Sequence, residues 1–302
     1  MKKNVIITGG SGQDGQILSR ILSDKNYNIY SLHNKKNLNK IKKVIYYKEN
    51  LLSKKRLDDL LSKIKPDYVI HLAAYNPSIN EINSKKFYNK NFNATKNIFF
   101  STFNYNKEAK FIFCSSSQIF SKKKIVSEIS KIRISSPYTK FRIKSDNLML
   151  NYKRIKKIKY TNAILFNHDS IYRNKKFLIP RLMNALNKKN YYFIKKIINA
   201  NIYSDFSHAE DICSGIYKIM KSKENHDKII LSSGKSTSVN QILKFILHKY
   251  KIDFNFKNNK KKNINVLIGN NNLAKKVLKW SHKKNIFIAA DEILKSIKAN
   301  EQ

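Results

Sequence analysis

Short apolar runs and amphipathic stretches alternate through the first 115 residues. NVIITGG (4–10) predicts a strand. GQILSRILSDK (15–25) predicts a helix with Ile17, Leu18, Ile21 and Leu22 on one face. NIYSLH (28–33) and KVIYY (43–47) predict a second and a third strand, and KKRLDDLLSKI (54–64) another helix. KPDYVIHLAA (65–74) is a fourth strand opened by Pro66, NATKNIFFSTFNY (93–105) a helix, and KFIFCSSS (110–117) a fifth strand. Strands separated by helices must pair in parallel through crossovers. The pattern therefore predicts an α/β fold, a Rossmann-type doubly wound parallel sheet with a smaller C-terminal substrate lobe.

Beyond about residue 165 the alternation loosens. RLMNALNKK, HAEDICSGIYKIMKS and SVNQILKFILHKY predict helices, KIILSSG a strand, and KNNKKKN (257–263) a solvated connector. No repeat of solenoid length is present.

The first strand runs straight into three spaced glycines. Thr8, Gly9, Gly12 and Gly15 give T-G-x-x-G-x-x-G between a strand and a helix. Glycines there permit a tight turn and let a pyrophosphate approach the backbone. The diphosphate then rests on the free N–H groups of the helix N-terminus. The pattern points to dinucleotide binding. Residues 1–165 are thus expected to form the NADP-binding domain and 166–302 mainly a substrate-binding lobe, with segments returning to the sheet. The second strand ends Ser31-Leu32-His33-Asn34-Lys35-Lys36, with no acid to accept from the adenosine ribose, whereas Lys35 and Lys36 suit a 2′-phosphate. NADP is expected, with NAD as the alternative. Asn50, after the third strand, stands where an amide can read an adenine edge.

Two more stretches carry chemistry. The fifth strand ends Cys114-Ser115-Ser116-Ser117-Gln118, and Ser136-Pro137-Tyr138-Thr139-Lys140-Phe141-Arg142 opens an amphipathic helix. Tyr138 and Arg142 are i and i+4 and share a helix face. A cation one turn from a phenol supports proton transfer at its oxygen, and a serine hydroxyl at the strand end can share the same substrate oxygen.

Together these motifs resemble the extended short-chain dehydrogenase/reductase family, the NAD-dependent epimerases and dehydratases, and within it the GDP-mannose 4,6-dehydratases. The likeness runs from end to end. TGGSGQDG is similar to that group's Gly-rich loop, including Gln13 and Asp14. HLAA (71–74) resembles the strand beside the cofactor and SSSQIF (115–120) the catalytic strand end. SPY (136–138), LFNHDS (165–170), SDFSHAEDI (204–212), SGKSTSV (233–239) and VLIGNNNLAKKVLKW (266–280) follow the group's remaining motifs in order.

The resemblance implies a lyase that uses a nicotinamide dinucleotide on a GDP-linked sugar. Hydride leaves sugar C4, water is lost across C5 and C6, and hydride returns at C6. It implies Tyr138 as the acid/base at C4, Ser116 as its hydroxyl partner, and Gln118 and Arg142 at the family's other two catalytic positions. Thr8, Gly9, Gly12, Gln13, Asp14, Gly15, Lys35, Asn50, Leu51, Leu72, Ala73, Ala74, Tyr138 and Arg142 are expected around the cofactor. Ser116, Asn167 and Lys260 are expected at the substrate. The family has glutamate where this chain has Gln118, lysine where it has Arg142, and arginine where it has Ser204. A neutral amide cannot take a proton as a carboxylate does, and arginine does not shuttle one. A 4-keto reductase, a 4-dehydrogenase, an epimerase or a catalytically degenerate nucleotide-sugar-binding paralogue therefore stand as alternatives. Homodimers or homotetramers are implied by the same resemblance.

Composition changes little of this. Sixty-one Lys and Arg against 20 Asp and Glu give +41, but the lysines are spread through every segment and no nucleic-acid motif accompanies them. No specific nucleic-acid partner is expected. No apolar stretch reaches the roughly 20 residues of a membrane span, and the opening strand leaves no room for a signal peptide. Cys114 and Cys213 lie far apart in apolar surroundings and read as core fillers in a reducing compartment. His71 and His208 read as packing or hydrogen-bonding residues and Phe166 and Phe206 as core. A soluble cytoplasmic protein without a metal is expected.

Overall fold

A computed structural model describes residues 2–34, 40–74, 85–121, 124–254 and 266–300. In chain order its first half holds β1 (Lys3–Thr8), α1 (Gln13–Ser23), β2 (Tyr27–His33), β3 (Val44–Lys48), α2 (Lys54–Ile64) and β4 (Tyr68–His71). There follow α3 (Lys85–Tyr105), β5 (Lys110–Ser116), β6 (Ile125–Val126), α4 (Pro137–Lys156) and β7 (Lys159–Leu165). The second half holds β8 (Asn167–Asp169), α5 (Leu178–Asn187), α6 (Tyr191–Ala200), β9 (Tyr203–Ser204), β10 (Phe206–His208) and α7 (Ala209–Lys221). It closes with β11 (Lys228–Leu231), β12 (Thr237–Ser238), α8 (Val239–Lys249), β13 (Ile268–Gly269), α9 (Asn272–Leu278) and α10 (Ile286–Ala299).

Seven strands form one parallel sheet in the order β11-β7-β5-β4-β1-β2-β3, flanked by helices. The doubly wound α/β architecture is thus present. β1 lies inside because its residues are apolar on both faces: Val5, Ile6 and Ile7 are all fully buried. Register sets Leu32, Thr8, His71 and Phe113 side by side across four strands. Sequential strands run outward from β1 in two directions, which places a switch point between β1 and β4.

Four elements differ from expectation. β4 stops at His71, three residues before its apolar run ends, because the Ala73 amide donates to the Thr8 side chain instead of continuing the ladder. α3 starts at Lys85, earlier than its apolar face suggested, and α6 forms where no periodic signal was read. β7 ends in six consecutive buried residues, and a strand buried on both faces shows no alternation that would predict it.

Contacts divide the chain into two units: Met1–Ser121 with Lys131–Ile164 and Cys213–Ile229, and Lys122–Ser130 with Leu165–Ile212 and Ile230–Gln302. The first unit packs an aromatic cluster between α3 and the sheet. The Phe99 ring lies 5.1–5.5 Å from those of Phe103, Phe111, Phe100 and Tyr152. The second unit packs Ile179, Leu182 and Met183 of α5 with Ile242, Leu243 and Ile246 of α8 and Ile293, Leu294 and Ile297 of α10. Its His208 imidazole bonds Glu292, and the Lys284 ammonium bridges Glu292 and Glu210. Among the described residues no helix is long and apolar enough to cross a membrane.

Phe99 is fully buried at the centre of its cluster. Phe99→Ala should lower unfolding free energy by about 3–5 kcal/mol, measured by urea denaturation. A loss below about 1 kcal/mol would mean that the ring cluster does not hold α3 to the sheet.

Candidate active site

The turn after β1 is built by missing side chains. Gly9 has φ +73°, and a Cβ on it would stand 2.9 Å from the Ala73 nitrogen and 3.1 Å from the Leu72 carbonyl carbon. A Cβ on Gly15 would stand 2.5 Å from the Gly9 oxygen. Gly12 occupies the N-cap of α1 with extended backbone and donates its amide to Gly9 O at 2.9 Å. No side chain caps this helix at Gly12, and an uncapped helix start presents its partial positive charge there. A glycine-walled turn leading to an uncapped helix N-terminus fits a diphosphate. Gln13 and Asp14 open the helix, the Gln13 amide donating to the Asp14 carboxylate at 3.1 Å.

The other expected cofactor positions among the described residues follow β3 and β4 in the first unit. Leu72, Ala73 and Ala74 leave the end of β4. Asn50 and Leu51 leave the end of β3, where the Asn50 side chain accepts from Leu52 N and the Leu51 carbonyl accepts from Asn97. β2 through Asn34 carries no acidic side chain. Lys35, Lys36 and Lys260 lie outside the described residues.

The catalytic candidates lie at one strand end and one helix start. β5 ends at Ser116, whose Oγ accepts the Gln118 amide at 3.3 Å and caps a single 3₁₀ turn, Ser117–Ile119. The Gln118 side chain is exposed. α4 starts sharply because Ser136 and Thr139 form a capping box and Pro137 occupies its first turn. This fixes Tyr138 in the first turn and Arg142 one turn on. The Arg142 guanidinium donates to the Tyr138 hydroxyl at 3.2 Å and to the Cys114 carbonyl on β5. It thereby ties the phenol to the strand that ends at Ser116.

Arg142 is only 5% exposed. Its guanidinium carbon sits 4.9, 5.1 and 5.5 Å from the ring centroids of Phe141, Tyr138 and Phe113. Aromatic faces compensate part of the lost hydration of this cation. Beneath it His71 is fully buried, and burial, with the Arg142 charge adding, pushes its imidazole down to about 3. Burial likewise pushes the Cys114 thiol up, so it is an inert core group. The sequence reads His71 as a packing or hydrogen-bonding residue, and it hydrogen-bonds in the structure. The structure joins it to the cofactor turn through Thr8, a link that depends on residues 63 positions apart.

In the second unit Asn167 lies on β8 and its amide donates to the Ser204 hydroxyl. Its partner there is a short neutral hydroxyl.

The family model described as GDP-mannose 4,6 dehydratase matches residues 6–293. A Dictyostelium discoideum protein named GDP-mannose 4,6 dehydratase is 22% identical, covering 93% of this chain and 92% of its own. A GDP-6-deoxy-D-talose 4-dehydrogenase of Aggregatibacter actinomycetemcomitans is 26% identical over 80% of this chain and 78% of its own. Among solved structures, the dTDP-glucose 4,6-dehydratase of Bacillus anthracis, in complex with NAD, superposes with a TM-score of 0.82 at 16% identity, covering 99% and 97% of the two chains.

The depressed His71 pKa gives a pH dependence of stability. The unfolded chain takes a proton near 6.5, and the folded protein refuses it until about 3. Stability from this residue is therefore complete above pH 6.5 and is lost as pH falls toward 3, by at most about 1.4 kcal/mol per pH unit. Between pH 7 and pH 4.5 the unaltered protein should lose more stability than His71→Phe, compared by urea denaturation. Parallel pH profiles would mean that His71 takes up a proton in the fold.

Proposed function

The chain belongs to the GDP-mannose 4,6 dehydratase family, and on that premise we propose that it is an NADP-dependent enzyme exchanging hydride at C4 of a GDP-linked hexose, with GDP-mannose the first substrate to test. One observation carries the reading: the Arg142 guanidinium holds the Tyr138 hydroxyl and the backbone of the strand that ends at Ser116. Bound nicotinamide would accept hydride from C4 and, in the complete dehydratase cycle, return it at C6.

The residues of the chain divide the remaining work. The glycine turn and the first amides of α1 hold the coenzyme diphosphate. Tyr138 takes the proton of the sugar 4-hydroxyl as that carbon becomes a ketone and gives it back on reduction. Ser116 Oγ already accepts the Gln118 amide, which leaves its own hydrogen to donate to the sugar oxygen. Arg142 keeps the phenolic oxygen directed, and its permanent charge means it takes no part in proton transfer. Asn167 contacts the nucleotide sugar. A cytoplasmic homodimer or homotetramer completes the reading.

Gln118 favours a second reading. After C4 oxidation the C5 proton is acidified, and the family removes it with a carboxylate at this position. The Gln118 amide has no basic site for that proton. Oxidation, reduction or epimerisation at C4 without loss of water needs only the Tyr138 and Ser116 chemistry, and a 4-dehydrogenase name among the relatives agrees with it. A paralogue that binds nucleotide sugar without turnover is the remaining alternative.

Purified protein given GDP-mannose and catalytic NADP+ should form a 4-keto-6-deoxy product, followed by mass spectrometry. Stoichiometric coenzyme reduction or oxidation with a GDP-sugar would instead support the second reading, and coenzyme binding with no turnover the third. Tyr138→Phe should lower turnover at least about 100-fold while coenzyme binding persists; unchanged turnover removes Tyr138 from the chemistry. Gln118→Glu should raise dehydration, and no change in an already active dehydratase places the C5 base elsewhere.

A further inference from the structure

Thr8 and His71 are register partners at the ends of β1 and β4. Thr8 Oγ1 lies 2.7 Å from His71 Nδ1 and accepts the Ala73 amide at 3.1 Å. On the other side of the ring, His71 Nε2 lies 2.8 Å from Thr95 Oγ1 on α3. The imidazole is 1% exposed and stacks on Phe113, with centroids 6.0 Å apart and planes 19° from parallel.

We infer that His71 is a positioning residue of the dinucleotide pocket, holding the turn after β1 and the turn after β4 at one spacing through the hydroxyl of Thr8. The inference rests on the nicotinamide-dependent reading above and names a residue that reading does not use. The two turns meet backbone to backbone: a Cβ on Gly9 would lie 2.9 Å from Ala73 N and 3.0 Å from Ala73 Cα. At that distance a displacement of about one ångström in either turn changes the cradle wall itself, and positional losses of this size are felt strongly in binding and catalysis. Van der Waals contact resists closer approach but not separation. Separation is resisted by the Ala73 hydrogen bond to Thr8, and that bond needs the Thr8 hydroxyl to keep one rotamer. His71 supplies this restraint from below, while Thr95 fixes the far side of the ring.

Proton accounting assigns the tautomer. The buried ring is neutral, so one nitrogen donates and the other accepts. Thr8 Oγ1 already receives the Ala73 N–H, and donating its own hydrogen to Nδ1 completes its bonding. The ring then donates from Nε2–H to Thr95, a threonine within α3, where such hydroxyls commonly give their own hydrogen to a carbonyl one turn back. The opposite tautomer makes Thr8 accept twice and strands its hydrogen inside the protein, an unfavourable arrangement for a buried donor.

The experiment separates positioning from packing by two substitutions with opposite defects. His71→Phe keeps a ring against Phe111 and Phe113 and removes both nitrogens. His71→Asn removes the ring but leaves a carbonyl oxygen able to accept from Thr8. His71→Phe should raise the NADP+ and NAD+ dissociation constants tenfold or more with little change in melting temperature. His71→Asn should melt earlier yet bind within about threefold of the unaltered protein. Thr8→Val should match the binding loss of His71→Phe, and the double variant should bind no worse than the weaker single. Binding by His71→Phe within twofold of the unaltered protein overturns the inference. So do binding losses in both His71 variants that simply follow their melting temperatures. Should the variants fail to fold, nitrogen-15 spectra of the unaltered protein decide: an Nε2–H ring is expected, and an Nδ1–H ring overturns the assignment. If the unaltered protein binds neither dinucleotide, the functional reading fails and takes this inference with it; binding that persists in His71→Phe removes the inference alone.

Discussion

Everything at the candidate site depends on how closely two pieces of backbone approach. A parallel sheet puts the ends of β1, β4 and β5 on one edge, and the crossovers reverse direction between β1 and β4. A crevice opens there in any doubly wound sheet, and its usefulness turns on whether side chains fill it. Here Gly9 and Gly15 leave it unfilled, since a Cβ at either would collide with backbone rather than with a movable side chain. Backbone cannot rotate aside as a rotamer can, so the glycines are required by the packing of the fold as well as by any ligand.

The electrostatics divide into a large diffuse term and a small concentrated one. A net charge of +41 sets a general attraction for anions, which at physiological salt is screened beyond about 8 Å. The single guanidinium of Arg142 is held away from water, bonded to a phenol and a carbonyl and faced by three rings. Interactions there are several-fold stronger than at the surface. The surface charge therefore bears on how anionic ligands arrive, and the buried one on what Tyr138 does. The neutral His71 beneath adds no competing charge, which a protonated imidazole near this cation would.

Local constraints were legible in the sequence and long-range ones were not. The glycine spacing and the Tyr138–Arg142 interval follow from turn sterics and the helical period, so both could be read before any coordinates. The start of α4 was equally open, because Ser136-Pro137 carries its own stop and start signals. β7 escaped because a fully buried strand shows no alternation, and α6 because its exposed Tyr191 and Tyr192 blur the polar face. The tie from Thr8 through His71 to Thr95 was invisible for a different reason. It joins residues 63 and 24 positions apart whose individual types are unremarkable, and only the strand order makes them neighbours.

Two of the family departures, Arg142 and Gln118, would act on different steps and differ in cost. Arginine for lysine keeps a positive donor on the phenolic oxygen, so the hydride step loses at most a proton path. Glutamine for glutamate removes a base, and general-base catalysis is worth about 10²–10⁴ in rate, or roughly 3–5 kcal/mol of barrier. On the proposed reading, hydride exchange at C4 would draw on Tyr138 and Ser116, while dehydration would need its base from another residue or from solvent. Between a complete dehydratase and a C4 oxidoreductase, the balance rests on whether some other carboxylate reaches C5 in the bound sugar. The carboxylates nearest in sequence to Gln118 are Glu108 and Glu128. Glu108 is tied to Lys159, and Glu128 accepts from the Ile230 amide. Glu108 precedes β5, at the opposite end of that strand from Ser116, so nearness in sequence supplies no base, and the question turns on which carboxylate a bound sugar would bring to C5.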